Sequence, residues 1–203
     1  MHTPFPIFTI FLIFVVSTAA YRANLERKRM KRDADFWSRE DAAKKTPKKD
    51  LSEIAYIHVP LDAFPIGILD SDEAAMTEEE LKCLANLPIL NLNDMTNTDI
   101  RLAYGTDNFD YMQSVGENFD RLEVLLCDYA KLLMENSLYA QSIPVLEFAV
   151  REHATISSIY TLLGECYDEA GEEEKLEKLI ASVEERDLIM KGGILDYLRG
   201  LMV

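Results

Sequence analysis

The feature that most constrains this chain is an uncharged apolar run, FPIFTIFLIFVVSTAAY, at residues 5–21. As an α-helix this run would be about 26 Å long, at about 1.5 Å per residue. The hydrocarbon core of a bilayer is about 30 Å thick, so continuing the helix to Ala23 makes up the difference. We therefore predict a transmembrane anchor over residues 1–23.

A cluster of basic residues follows the apolar run directly, within a predicted basic juxtamembrane linker over residues 24–50. Lys and Arg are enriched on the cytoplasmic flanks of membrane helices, which predicts an N-terminus outside the cell and a cytoplasmic body. We expect the cluster to contact anionic lipid headgroups, although a solvated charged helix would explain the same residues equally well. This membrane collar consists of Arg22, Arg27, Lys28, Arg29, Lys31 and Arg32.

A cleaved signal peptide is the competing interpretation of the apolar run. Thr18, Ala19 and Ala20 are small enough for a cleavage site. A secretory signal begins with a basic region, however, and the opening residues MHTPFP contain neither Lys nor Arg. The sequence therefore favours an uncleaved anchor, with cleaved export as the alternative.

The charge balance excludes nucleic acid as a partner. Residues 22–49 hold 11 Lys and Arg against 5 Asp and Glu, whereas residues 50–203 hold 10 against 31, a balance of −21. Nucleic-acid binding requires basic side chains that displace counterions from the phosphates.

No HExxH, GxSxG, P-loop or Rossmann pattern occurs in the sequence. We therefore predict no enzyme activity and no metal or other cofactor, and the sequence identifies no small-molecule substrate.

Residues 51–110 are predicted to form an extended segment and short capping helices. The stretch YIHVPLDAFP alternates like a strand, but Pro60 and Pro65 exclude it from a sheet interior. We expect it to pack along the helical body, where it either completes the core or shields a partner site. Thr77 and Glu80 form a T-x-x-E capping box that predicts a helix start.

Earlier in the chain, Phe36 and Trp37 could lie at the membrane interface, but packing on the body is favoured.

Residues 111–203 have apolar residues at helical spacing. Two stretches of this region also align with each other at a constant spacing, the repeat offset, which brings Tyr129 onto Leu163 and Ala130 onto Gly164. The repeat offset equals the period of tetratricopeptide repeats, which is about 34 residues. The second unit resembles the W-x-x-L-G-x-x-Y core of that family, with Tyr in place of Trp. GGILDYLRGLMV is predicted to form a terminal helix that covers the last repeat. The predicted repeat-packing residues are Tyr129, Ala130, Leu133, Leu146, Ala149, Tyr160, Leu163, Gly164, Tyr167 and Gly171.

Taken whole, the chain resembles a family of bacterial single-pass membrane proteins with a cytoplasmic helical-repeat body. The resemblance rests on the anchor, on DFWSRE, KKDLSEIAYIHVPLDAFP and MTNTDIRLAYGTDNF, and on the repeats. It implies membrane attachment and helical repeats, but it implies no activity and no catalytic residue.

These patterns predict an all-α protein. An N-terminal transmembrane helix is followed by a tetratricopeptide-like helical-repeat domain, with an irregular extended segment between them. The predicted function is that of a membrane-anchored cytoplasmic adaptor or scaffold that binds a protein partner. The alternatives are a structural subunit of a membrane complex and, less favoured, a membrane-associated enzyme.

Overall fold

The computed structural model describes residues 5–202, with side chains from residue 8 onward. The predicted anchor's first four residues and Val203 lie outside this range. The described chain contains eight α-helices and no β-strand, which confirms the all-α class. The helices are α1 (Phe5–Lys44), α2 (Asp72–Ala85), α3 (Asn97–Tyr104), α4 (Phe109–Glu135), α5 (Tyr139–Arg151), α6 (Ser157–Glu169), α7 (Glu173–Glu185) and α8 (Lys191–Leu201).

The chain divides into two compact units. The first comprises the residues up to Lys49 together with Asn97–Asn108, and therefore contains α1 and α3. The second comprises Asp50–Thr96 and the chain from Phe109 onward, and contains the other six described helices. Each unit has its own internal contacts.

In the first unit, α1 is one unbroken helix of 40 residues. At about 1.5 Å per residue it is about 60 Å long. The part from Phe8 to Lys44 is long and apolar enough to span a membrane, and none of its apolar window is buried. The described part of the predicted anchor and much of the predicted linker therefore belong to a single helix, which ends before Pro47.

The end of α1 is joined to the segment that holds α3. The Thr106 hydroxyl donates to the Ala43 carbonyl at 2.7 Å, and the Lys49 ammonium donates to the Leu102 carbonyl at 2.7 Å. Gly105 has φ +92°, and an added Cβ would collide with the carbonyl oxygen of Pro47. Only glycine fits this close approach of two backbone segments.

Phe36 and Trp37 lie on α1 in the first unit, and their packing on the body stays a prediction. Their side chains are 56% and 61% exposed, and they contact each other edge to face with ring centroids 5.3 Å apart. The side chains of α3 contact a later part of α1, at Arg39 and Glu40, which leaves the aromatic pair uncovered within the first unit.

The second unit is built from helices with regularly spaced bounds. Helices α5 and α7 begin one repeat offset apart, at Tyr139 and Glu173, and their last residues are separated by the same offset. Helices α6 and α8 also begin one repeat offset apart, at Ser157 and Lys191. Successive helices from α4 to α8 pack on one another, α6 also packs on α8, and α2 packs on α4.

The turns that follow α4 and α6 have the same hydrogen bonds, again separated by the repeat offset. After α4, the Leu138 amide donates to the Leu133 carbonyl at 2.9 Å, and after α6 the Glu172 amide donates to the Tyr167 carbonyl at 2.8 Å. This arrangement requires a left-handed residue just beyond the helix. Gly171 occupies that position with φ +69° in one turn, and a serine, Ser137, occupies it with φ 60° in the other.

The extended segment before α2 completes the core of the second unit. Val59 is 2% exposed and Phe64 is 6% exposed. The Phe64 ring meets the Phe148 ring of α5 edge to face, at a centroid distance of 5.6 Å. The Ile57 amide also donates to the Ile89 carbonyl at 2.8 Å. The structure thus confirms the predicted packing and, of the two roles proposed for the segment, shows the core-completing one.

Helix α2 begins earlier than the predicted capping box. Its N-cap is Ser71, whose hydroxyl accepts a hydrogen bond from the Ala74 amide at 3.2 Å. Thr77 lies inside the helix, where its hydroxyl donates to the Glu73 carbonyl. The capping prediction was therefore wrong, because Ser71 offers a competing cap about 1.7 turns earlier.

Candidate interaction surfaces

The membrane collar lies on the exposed surface of α1. All six of its basic residues are exposed, and none takes part in an ion pair within the described residues. Four of them, Lys28, Arg29, Lys31 and Arg32, line one open cleft together with Leu25 and Asp35. The other two collar residues lie outside the cleft. The helix thus brings together four of the six cations that the sequence singled out.

The predicted repeat-packing residues are almost all in the core. Nine of the ten are buried, and they are contributed by α4, α5 and α6. The tenth, Gly171, is exposed in the turn after α6, where its positive φ explains the residue type. These side chains therefore form the inside of the body and leave its outer surfaces to other residues.

Gly164 makes room for a helix other than the one expected. In tetratricopeptide-like repeats small residues set how closely the two helices of one repeat approach, which predicts that Gly164 allows α6 to approach α7. An added Cβ would meet Leu176 of α7 at 3.6 Å, which is an ordinary contact. It would collide with Leu198 and lie 3.3 Å from Leu201, both on α8. The tightest approach at Gly164 is therefore that of α8.

The buried tyrosines of α4 and α6 also hold polar groups in place. The Tyr160 hydroxyl donates to the Ala154 carbonyl at 2.6 Å, and the Tyr129 hydroxyl lies 2.7 Å from the Pro65 carbonyl. Burial raises the pKa of Tyr129, and its hydrogen bond to Glu78 raises it further. The protonated hydroxyl thus ties α4 to the extended segment.

Two buried carboxylates were missed by sequence reasoning. Glu78 is 5% exposed and accepts a hydrogen bond from the Gly67 amide at 2.8 Å. Glu123 is 6% exposed and accepts from the Thr155 amide at 2.6 Å and from its hydroxyl at 2.9 Å. One signal was available, because Glu123 lies at helical spacing on an apolar face with Phe119 before it. Both carboxylates hold loops against the helices.

The surface of the body includes a groove between α6 and α8, with a volume of about 380 Å³. Its apolar side chains include the buried Ile194, which is 2% exposed, and Met190, which is 74% exposed. The Tyr197 hydroxyl donates to Glu165, and this hydrogen bond, with a smaller effect of burial, raises the pKa of Tyr197 to about 12. The lining residues are Ser157, Ser158, Thr161, Glu165, Met190, Gly193, Ile194 and Tyr197.

This α6–α8 groove offers an apolar contact flanked by hydroxyl groups and a carboxylate. Such a lining suits a side chain with an apolar part and a hydrogen-bonding or cationic end. The sequence contains no signal for the groove, because its lining comes from α6, from α8 and from Met190 just before α8, and the two helices begin a whole repeat offset apart. Over the described residues, no group of three or more His, Cys, Asp or Glu side chains could hold a metal ion.

No protein-family model, curated protein or solved structure matches this chain with significance. The collar on α1 and the α6–α8 groove are the surfaces of the molecule that bear on its function.

Proposed function

We propose that this protein is a membrane-anchored cytoplasmic scaffold that binds a segment of a partner protein in the α6–α8 groove. The observation that carries the proposal is the exposed apolar lining of the groove. Met190 is 74% exposed and Ile189, directly before it, is 80% exposed. Large apolar side chains left in water beside a concave surface are typical of protein-binding sites.

The body of the scaffold, in this proposal, consists of tetratricopeptide-like helix pairs. The pairs are α4 with α5 and α6 with α7, and α8 lies in the position of a following first helix. The repeat offset between helix bounds supports this assignment, as does the shared turn geometry at Ser137 and Gly171. Stacked repeats of this kind form concave surfaces that accept extended partner segments.

The charge of the body indicates the chemistry of the partner segment. Residues 50–203 carry a balance of −21, and Glu165 lies in the groove itself. A basic segment would be attracted to this surface, whereas an acidic segment would be repelled. We therefore infer a partner segment with basic residues and one apolar side chain that enters the groove beside Ile194.

A photo-crosslinking experiment tests the groove. We expect a crosslinker at Thr161, in the groove, to capture a basic partner segment from intact cells. A crosslinker at Glu177, which is exposed on α7 outside the groove lining, should not capture it. Capture should fall at least about tenfold in Gly193→Leu, because the new side chain occupies the groove. The fold should tolerate this substitution, since an added Cβ at Gly193 meets no other atom within 4 Å.

Gly200→Leu is the matched control, since Gly200 also lies on α8 with nothing near an added Cβ and does not line the groove. This control should keep full capture. An acidic partner segment, or equal capture from Thr161 and Glu177, would contradict the proposed use of the groove.

The membrane attachment in this proposal depends on the apolar part of α1. Leu12→Arg combined with Val16→Arg should move the protein to the soluble fraction, because each charge near the bilayer centre costs about 2.5 to 3.5 kcal/mol. Leu25→Arg combined with Met30→Arg places the same charges beyond the apolar run and should leave the protein in the membrane. Fractionation of cells that express the full chain measures both results.

The proposed orientation needs a separate readout. We expect a reporter fused after Val203 to be active only as a cytoplasmic protein, because basic flanks stay on the cytoplasmic side. Reporter activity that requires export, or a mature chain that begins near Ala20, would show that the anchor interpretation is wrong.

A further inference from the structure

The side chains that line the collar cleft change from apolar to basic and then to acidic along the axis of α1. Leu25, which is 40% exposed, lies at the end nearest the apolar run. The four cations Lys28, Arg29, Lys31 and Arg32 follow, and Asp35 lies at the far end. An anionic glycerophospholipid has a matching order, with an apolar part, a phosphate and then a polar headgroup.

The heights of the four cations above the bilayer fit contact with lipid phosphates. If the hydrocarbon core ends near Asn24, the Cα atoms of Lys28 and Arg32 lie about 6 and 12 Å beyond it, at about 1.5 Å per residue. The headgroup layer is about 5 to 8 Å thick on each side. The Lys28 backbone thus lies within this layer and the Arg32 backbone somewhat above it.

The direction of the side chains brings the charged groups of Lys31 and Arg32 closer to the lipid headgroups than their backbone atoms are. In an α-helix the Cα–Cβ bonds tilt toward the N-terminus, so side chains cover the turn before their own Cα atom. The N-terminal part of α1 is the apolar run, and the long side chains of Lys31 and Arg32 therefore lean back toward the bilayer. This holds for either orientation of the protein in the membrane.

The four cations are also available to a ligand. None of them forms an ion pair with another described residue of the chain, and all four are exposed. Asp35 is the one acidic side chain in the cleft, and its far position repels a phosphate toward the bilayer side.

We propose that this cleft is a binding site for the phosphate headgroup of an anionic glycerophospholipid. The inference rests on the membrane anchor proposed above, and it adds a defined lipid site on one side of the collar. The collar therefore does more than attract the bilayer surface evenly, because Arg22 and Arg27 carry the same charge without lining the site.

Trp37 provides the measurement, since it is the only tryptophan and lies shortly after Arg32 on the same helix. The full chain is reconstituted into phosphatidylcholine vesicles that contain dansyl-labelled phosphatidylglycerol or, separately, the same fraction of dansyl-labelled phosphatidylcholine. Energy transfer from Trp37 should show labelled phosphatidylglycerol enriched near the protein by at least about fivefold, the ratio expected from one cation near the surface.

Matched double variants separate a defined site from diffuse attraction. Arg29→Gln with Arg32→Gln should remove most of the enrichment, whereas Arg22→Gln with Arg27→Gln should keep most of it. Equal losses in the two variants would overturn the site in favour of diffuse attraction. Adding inorganic phosphate at constant ionic strength should leave most of the enrichment, because the anchor holds the cleft beside lipid headgroups at a high effective concentration.

Flotation of the same samples distinguishes failure of the site from failure of the anchor. Protein that floats with pure phosphatidylcholine vesicles but shows no enrichment of labelled phosphatidylglycerol would overturn the lipid site and leave the anchor standing. Protein that does not float with those vesicles would overturn the anchor and, with it, the placement of the cleft at the bilayer.

Discussion

Replacing Phe64 with alanine should lower the free energy of unfolding of the body by about 3 to 5 kcal/mol. Phe64 is 6% exposed, and its ring packs edge to face on Phe148 at a centroid distance of 5.6 Å. Removing the ring leaves a cavity between the extended segment and α5, which only partly collapses because both sides are held elsewhere. Denaturant unfolding of the full chain in detergent, followed by helical circular dichroism, measures the change.

Ile68→Ala is the control for this prediction. Ile68 lies slightly later in the same segment but is 47% exposed. Its truncation should cost less than about 1 kcal/mol, as is usual for surface positions. Similar costs for the two variants would mean that the segment does not complete the core, despite the burial of Phe64.

Replacing Gly164 with leucine should destabilise the body by about 1 to 3 kcal/mol. The new side chain would collide with Leu198, which is 0% exposed and cannot move aside without repacking α8. Because leucine favours helix more than glycine does, the intrinsic preference alone would stabilise this variant. A measured loss therefore reports the collision. Thermal unfolding and the hydrogen-exchange protection of α8 both measure this loss of stability.

Gly200→Leu separates the collision from the change in helix preference. Gly200 lies within α8, and an added Cβ there meets nothing within 4 Å. This variant should be as stable as the natural protein or slightly more stable. Unchanged stability in Gly164→Leu would contradict the close approach of α8 and would weaken the repeat assignment as well.

The helices of the body could be predicted from the sequence because their signals are local and repeated. Apolar residues recur at helical spacing, and the repeat offset that brings Ala130 onto Gly164 also relates the observed helix bounds. The extended segment was predictable from Pro60 and Pro65, since proline excludes a sheet interior. These predictions needed no knowledge of distant contacts.

The surfaces were less predictable because they depend on contacts between distant residues. Burial of Glu78 requires the Gly67 amide, 11 positions away, and the Tyr129 hydroxyl, 51 positions away, and neither is a neighbour on the same helix. Nothing local shows that α8, rather than α7, makes the tightest contact at Gly164. The sequence alone does not place Phe36 and Trp37, because amphipathic aromatic residues suit a core, a membrane interface and exposed surface alike.

The contact between Phe64 and Phe148 also has a consequence during protein synthesis. The two residues are 84 positions apart, from 64 to 148. At about 5 to 20 residues per second, Phe64 leaves the ribosome about 4 to 17 s before Phe148 does. During that interval Val59 and Phe64 have no α5 to pack against, so the nascent chain exposes apolar side chains that chaperones recognise. Slow translation between these positions should therefore increase aggregation or proteolysis of the nascent protein.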